Sequence, residues 1–139
     1  MKYQYSPAEK KRLDAMITRY KKAARSQFEN RVAYYHTITG GEYTSITIRD
    51  QKTRWGSCSS TGTLSFNYRL IFAPPRILDY VVVHELCHLT HMNHSKDFWN
   101  MVASVMPEYK VHRKWLREHG NDLTPEKYLE RLGIPILLE

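Results

Sequence analysis

HELCHLTHMNH, residues 84–94, is the stretch that decides how this chain is read. It opens with HExxH. On a helix the i, i+4 spacing stacks the imidazoles of His84 and His88 on one face about one turn apart, so that two nitrogens can reach one ion. Glu85 sits about 100° around the helix, near enough to take a proton from water at the metal without filling a coordination position. With seven His and nine Glu in the chain, random order would produce the motif only about 0.02 times. Histidines that merely satisfy core hydrogen bonds are the bland alternative.

A catalytic zinc takes three protein ligands and one water, so a third ligand is sought downstream, among His91, His94, Glu108, His112 and His119. His91 continues the helical stripe but would lie about 10 Å along the axis from His84, too far for both to touch one ion while the helix persists. His94 is better placed, because Asn93 tolerates the left-handed conformation that ends helices and would let the chain turn back. Glu108 is the rival, since some zincins take a glutamate from a following helix. His91 is then left as a pocket-rim or surface residue.

Working outward, Pro74-Pro75 opens the helix that carries the motif, and ILDYVVVHELCHL is apolar enough for that helix to be nearly buried. The β-branched run within it points weakly to a strand, but length, the proline start and the motif favour helix. Upstream, TRWGSC (53–58) and TLSFNY (63–68) flank Ser59-Ser60-Thr61-Gly62 and predict a hairpin, with Leu64, Phe66 and Tyr68 sharing one face. YTSITIR (43–49) alternates as a half-buried strand does. At the N-terminus Ser6 and Glu9 read as a capping box, with Pro7 at the first helical position. Apolar positions from Leu13 to Val32 recur every three to four residues, predicting one long helix from about residue 7 to about 35, with Gly40-Gly41 ending any continuation.

Downstream, Ser95 caps a helix that Pro107 stops. A short helix around 108–119 ends at Gly120, and Thr124-Pro125-Glu126 starts a last one that stops at Gly133. The reading is a single α+β domain over 1–139: a basic N-terminal helix (1–40), a catalytic core (43–120) and a C-terminal helix and tail (121–139).

The composition is that of an ordinary globular protein, with no apolar run long enough to span a membrane and no apolar leader at the start. A cytoplasmic monomer is the default expectation. Cys58 and Cys87 have neither disulfide-framework nor zinc-site spacing. The net charge of +7 is uneven. Residues 1–35 hold nine Lys or Arg against three Asp or Glu, leaving only +1 for the remainder. Such a stripe suits nucleic acid or another polyanion, or is simply a solvated helix face.

HELCHLTHMNHSKDFW, preceded by QKTRWGSCSSTGTLSFNYRLIFAPPRILDYVVV, resembles the YgjP-like metal-dependent hydrolase family, which is related to the WLM and SprT-like zinc peptidases. The resemblance covers roughly residues 45–118, and the N-terminal basic helix matches only in general character. It implies a minimal zincin fold, with a long helix before a small sheet and the metal-binding helix packed beneath. It also implies that the histidine of the NHS segment, His94, is the third ligand.

By analogy with zincins the strand around TRWGSC lines the cleft, which would place Arg54, Trp55, Gly56 and Ser57 near substrate, with Gly56 permitting close backbone approach. The ordinary roles for these are core, surface charge and turn. Asp97 is either a second-nitrogen partner for a ligand histidine or a helix-start acid. A donor to developing negative charge could be Arg54, Tyr109 or His112.

Three functions compete. The first is a metallopeptidase with Glu85 as general base on water. The second is a nucleoside triphosphate pyrophosphatase, for which Lys52, Arg54 and Arg69 would suit a polyphosphate. The third is a nucleic-acid-binding protein with SprT-like protease activity or only a structural zinc. Glu85 speaks against a structural metal, since a closed site needs four protein ligands and no adjacent base. Zn2+ is the expected metal, and a three-histidine site could also take Ni2+, Co2+ or Mn2+ in vitro.

Overall fold

The computed structural model describes residues 4–133 of the 139. Five α-helices surround a three-stranded sheet: α1 (Pro7–Thr39), β1 (Ser45–Arg49), β2 (Gly56–Cys58), β3 (Thr63–Asn67), α2 (Pro75–Cys87), α3 (Lys96–Val105), α4 (Tyr109–His119) and α5 (Pro125–Leu132). This is the mixed α+β architecture expected from the sequence.

α1 begins with the expected capping box, in which the Ser6 hydroxyl accepts from the Glu9 backbone and the Glu9 carboxylate accepts from the Ser6 backbone. It runs about four residues beyond the expected end near 35, to Thr39, and stops at Gly40, whose φ of 67° suits glycine. Ala24, Phe28, Val32 and Tyr35 form its inward stripe, and the Phe28 ring stacks on Phe66 of β3 at 4.6 Å. Next to that stripe Arg31 donates twice to the Asp79 carboxylate of α2, at 2.8 and 3.0 Å, and the Tyr35 hydroxyl adds a third bond at 3.1 Å. This ion pair fixes α1 against α2.

The sheet order is β1-β3-β2, with β1 parallel and β2 antiparallel to β3. β2 and β3 are the predicted hairpin, turned at Gly62 with φ 90°. Both strands are shorter than expected. Thr53, Arg54 and Trp55 form a loop before β2, held by the Asn67 side chain, whose Nδ2 donates to the Arg54 carbonyl at 2.9 Å. Tyr68 leaves the strand to begin a 3₁₀ turn (Tyr68–Phe72) capped by Asn67 Oδ1, which accepts from the Arg69 backbone N–H, and is buried there.

α2 starts at the prolines and buries ten of its thirteen residues, including Val81, Val82 and Val83, so tertiary burial overrides their strand preference. Its end departs from expectation. The helix stops at Cys87, and successive backbone bonds from His88, Leu89 and Thr90 to the carbonyls three residues back tighten the chain into a reversal. No described residue other than glycine has positive φ, so Asn93 does not act as a left-handed stop. Ser95 caps α3 as predicted. α4 ends at Gly120 as expected, and Gly120 also opens a 3₁₀ turn (Gly120–Asp122) and leaves room for Trp55, since a Cβ there would lie 2.6 Å from the indole Cζ2. Thr124 caps α5, and Gly133 ends it in the left-handed conformation. The tail beyond Gly133 lies outside the described residues. No described helix is long and apolar enough to cross a membrane.

Candidate metal centre

His84 and His88 project from the last turn of α2, and the reversal after it returns His94 to them. The Nε2 atoms of His88 and His94 are 3.1 Å apart and those of His94 and His84 3.2 Å, and one ligand atom from each of the three residues lies within 4.8 Å of the others. Nitrogens held about 2.0–2.1 Å from a tetrahedral ion stand a little over 3 Å apart. The three imidazoles therefore have the spacing of a metal-ligand set.

Their protonation agrees. His88 Nδ1 donates to the His91 carbonyl at 2.9 Å, which leaves Nε2 with its lone pair facing the cluster. His84 Nδ1 lies 3.4 Å from the Tyr80 hydroxyl. Burial, together with the neighbouring imidazoles of His88 and His94, pushes His84 down to about 3, and burial also lowers His88. Both rings are thus neutral, the form that binds metal.

α3 supports the rings. Phe98 stacks on His88 at 4.3 Å and meets His84 edge-on at 5.0 Å. Trp99 lies parallel to His94 at 5.8 Å and is itself stacked by Tyr109 at 5.2 Å. With the second nitrogens of His84 and His88 facing Tyr80 and a backbone carbonyl, Asp97 is left at the first turn of α3, where a negative charge suits the helix N-terminus. Glu108 pairs with Arg76 and lies 3.7 Å from His112, outside the histidine cluster.

Glu85 is only 5 % exposed, and burial pushes its carboxyl up to about 8, with the positive charge of Arg54 acting in the opposite direction. β2 crosses directly over it. A Cβ on Gly56 would lie 2.9 Å from Glu85 Oε2 and 3.0 Å from both Glu85 Cγ and Val81 Cγ1. The expected close backbone approach at Gly56 is therefore present.

A cleft of about 350 Å³ opens beside Glu85 and His84. Arg54, Trp55 and Gly56 form one wall, Tyr80 and Val81 the base, and Arg113, Leu116 and Arg117 of α4 the other wall. Ser57 faces away, opposite Ser65 of β3. Tyr109 and His112 do not line the cleft. Tyr109 is the outer layer on Trp99, and the His112 ring lies behind Tyr80 with a buried Nε2 that lacks a hydrogen-bond partner. Lys52 and Arg69 are also absent from the lining, and Arg69 is paired with Asp50 at 3.1 Å. Arg113 and Arg117 were missed by sequence reasoning. Their i, i+4 spacing around Leu116 was the available signal.

The family model of the YgjP-like metallopeptidase domain matches residues 1–119. The chain belongs to this family. The match takes in α1, so this YgjP-like domain extends to the N-terminal helix that the sequence resemblance left aside. Among solved structures it is similar to the metallopeptidase zymogen abylysin of Pyrococcus abyssi, at 24% identity and a TM-score of 0.58, covering 66% of this chain and 93% of that one. That likeness is one of fold. No curated protein matches the chain.

Proposed function

We propose that this YgjP-like domain is a zinc peptidase in which His84, His88 and His94 hold the metal and Glu85 is the general base. The observation that carries the reading is the convergence of three imidazole nitrogens beside the buried carboxyl of Glu85. Zn2+ bound there supplies a Lewis acid and makes water acidic enough to attack near neutral pH. Glu85 takes the proton of the attacking water on a carboxylate oxygen as the water oxygen bonds to the peptide carbonyl carbon. The same carboxyl then hands that proton to the amine nitrogen as the C–N bond breaks. Burial favours the protonated Glu85 that hands the proton on, and a cation bound beside it would favour the carboxylate that first accepts it. The walls of the cleft hold the substrate segment and limit bulk water.

The nucleotide alternative relied on Lys52, Arg54 and Arg69. Of these only Arg54 reaches the cleft, so the reading loses two of the residues it was built on, while Arg113 and Arg117 supply other positive charge there. A polyanion partner for α1 rests on the exposed Lys10, Lys11, Arg19 and Lys22. That surface is a separate proposal, checked by whether DNA binding weakens steeply with salt.

The test is metal analysis of the purified protein with peptide hydrolysis alongside. Wild type should bind one Zn2+ and cleave peptides; Glu85→Gln should keep the metal and lose roughly 10²-fold or more in rate; His94→Ala should lose the metal. Equal hydrolysis by wild type and Glu85→Gln would refute the reading.

A further inference from the structure

Three arginines line the cleft. Arg54 enters from the loop before β2, while Arg113 and Arg117 enter from one face of α4. Among the described residues none of the three has a carboxylate within ion-pair distance, whereas Arg25, Arg31, Arg69 and Arg76 each have one. Glu85 is the one acid in the lining, and it sits on the floor beneath Gly56. The walls therefore carry positive charge that no described carboxylate pairs with. Like charges gathered in one concavity repel each other, and an anionic ligand relieves that repulsion.

Arg113 is also held in place. Its guanidinium carbon lies 4.8 Å from the centroid of the Trp99 ring, and the same ring lies parallel to His94. This puts a planar fork of donors beside the histidine cluster, ordered before any ligand arrives. Arg54 stands on a backbone fixed by Asn67. Trp55, Tyr80 and Leu116 supply apolar surface between the charges. At about 350 Å³ the space is at the small end of ligand-sized cavities, so it reads a short stretch of substrate.

From this geometry we infer that the cleft selects peptides carrying a carboxylate next to the scissile bond, gripped by Arg113 together with Arg54 and Arg117. The inference rests on the peptidase reading. Arg and carboxylate match as two parallel hydrogen bonds, which gives direction as well as attraction. The carboxylate can be an acidic side chain or the free C-terminus of the peptide, and the two sources are separable.

The experiment uses the full-length, zinc-loaded Glu85→Gln protein and fluorescence anisotropy with one fluorescent peptide in four forms: Glu or Gln at the test position, each with a free or an amidated C-terminus. At least one carboxylate form should bind roughly tenfold tighter than the doubly neutral form. The form that does so identifies the source. Adding Arg113→Gln should bring that ratio down towards one. Lys114→Gln removes the same charge from an exposed α4 residue outside the cleft, and should preserve the ratio. Equal binding of all four forms overturns the inference, as does a ratio that falls equally in both variants. So does a nucleoside triphosphate that binds tightly while the peptides show no preference. Cleavage of the same peptides by the zinc-loaded wild type is measured in parallel. Cleavage without carboxylate preference sinks the inference alone, whereas selective binding without any cleavage sinks the peptidase reading and leaves of the inference only carboxylate binding by the cleft.

Discussion

Gly56 stands against Glu85 so closely that no side chain fits between them: an added Cβ would meet the carboxylate Oε2 at 2.9 Å. The strand thereby acts as a lid on the proposed base. It covers one side of the carboxyl and sets where its oxygens lie, while the cleft opens on another side. Gly56→Ala should displace Glu85 while leaving the three imidazoles in place. We expect hydrolysis to fall by roughly 10²-fold with zinc stoichiometry unchanged. Parallel loss of metal, or unaltered hydrolysis, would contradict this account.

The raised pKa of Glu85 has a measurable effect on the metal-free protein. In the unfolded chain the carboxyl releases its proton near the ordinary 4.5, and in the folded protein only near 8. The folded state therefore binds more protons between these values, and this residue lowers stability as pH rises from about 4.5 to about 8. Glu85→Gln removes that slope. The variant should match wild type at pH 4 and exceed it at pH 8 by roughly 2–4 kcal/mol in denaturant unfolding with chelator present. A constant offset across the range would count against a buried, protonated Glu85.

Arg31 and Asp79 make a different kind of prediction. Asp79 is buried and receives two bonds from Arg31 and one from Tyr35. Arg31→Ala would strand that carboxylate with one hydroxyl partner. Unfolding free energy should drop by about 3 kcal/mol, and replacing both Arg31 and Asp79 by apolar residues should recover part of the loss. Chemical denaturation of the single and double variants reads this directly.

His94 is the exposed member of the cluster, and the Trp99 ring lies along it. Trp99→Ala should leave three histidines present but the third poorly oriented. Competition with a chelator is expected to report zinc affinity weaker by roughly tenfold or more. Unchanged affinity would mean that the chain path alone positions His94.

Local rules made much of this molecule legible in advance. The capping box at Ser6 and Glu9, the turn before β3, and the prolines before α2 each act over a few residues, and each sits where the sequence placed it. HExxH was equally plain, because the geometry of one helix turn brings His84 and His88 together. The sequence misled where a local cue competed with packing. Asn93 suggested a left-handed turn, but the reversal is made by tightened backbone bonds starting at His88, which no side chain announces. Tyr109 and His112 looked suited to substrate, yet the orientation of α4 offers Arg113 and Arg117 to the cleft instead. That orientation depends on the whole fold. Among the long-range contacts, the bidentate pairing of Arg31 with Asp79 had no signal in a single sequence.

One consequence follows from the carbonyl that receives the His88 Nδ1 proton. It belongs to the main chain of His91, so the placement of a proton on an imidazole ring is dictated by the route of the polypeptide. Any residue at position 91 would present the same oxygen. The identity of that side chain is therefore free to drift, while the number of residues between His88 and His94 is not. A single insertion there would retain all three histidines and every cap around them, yet deprive the ring of the acceptor that chooses its tautomer.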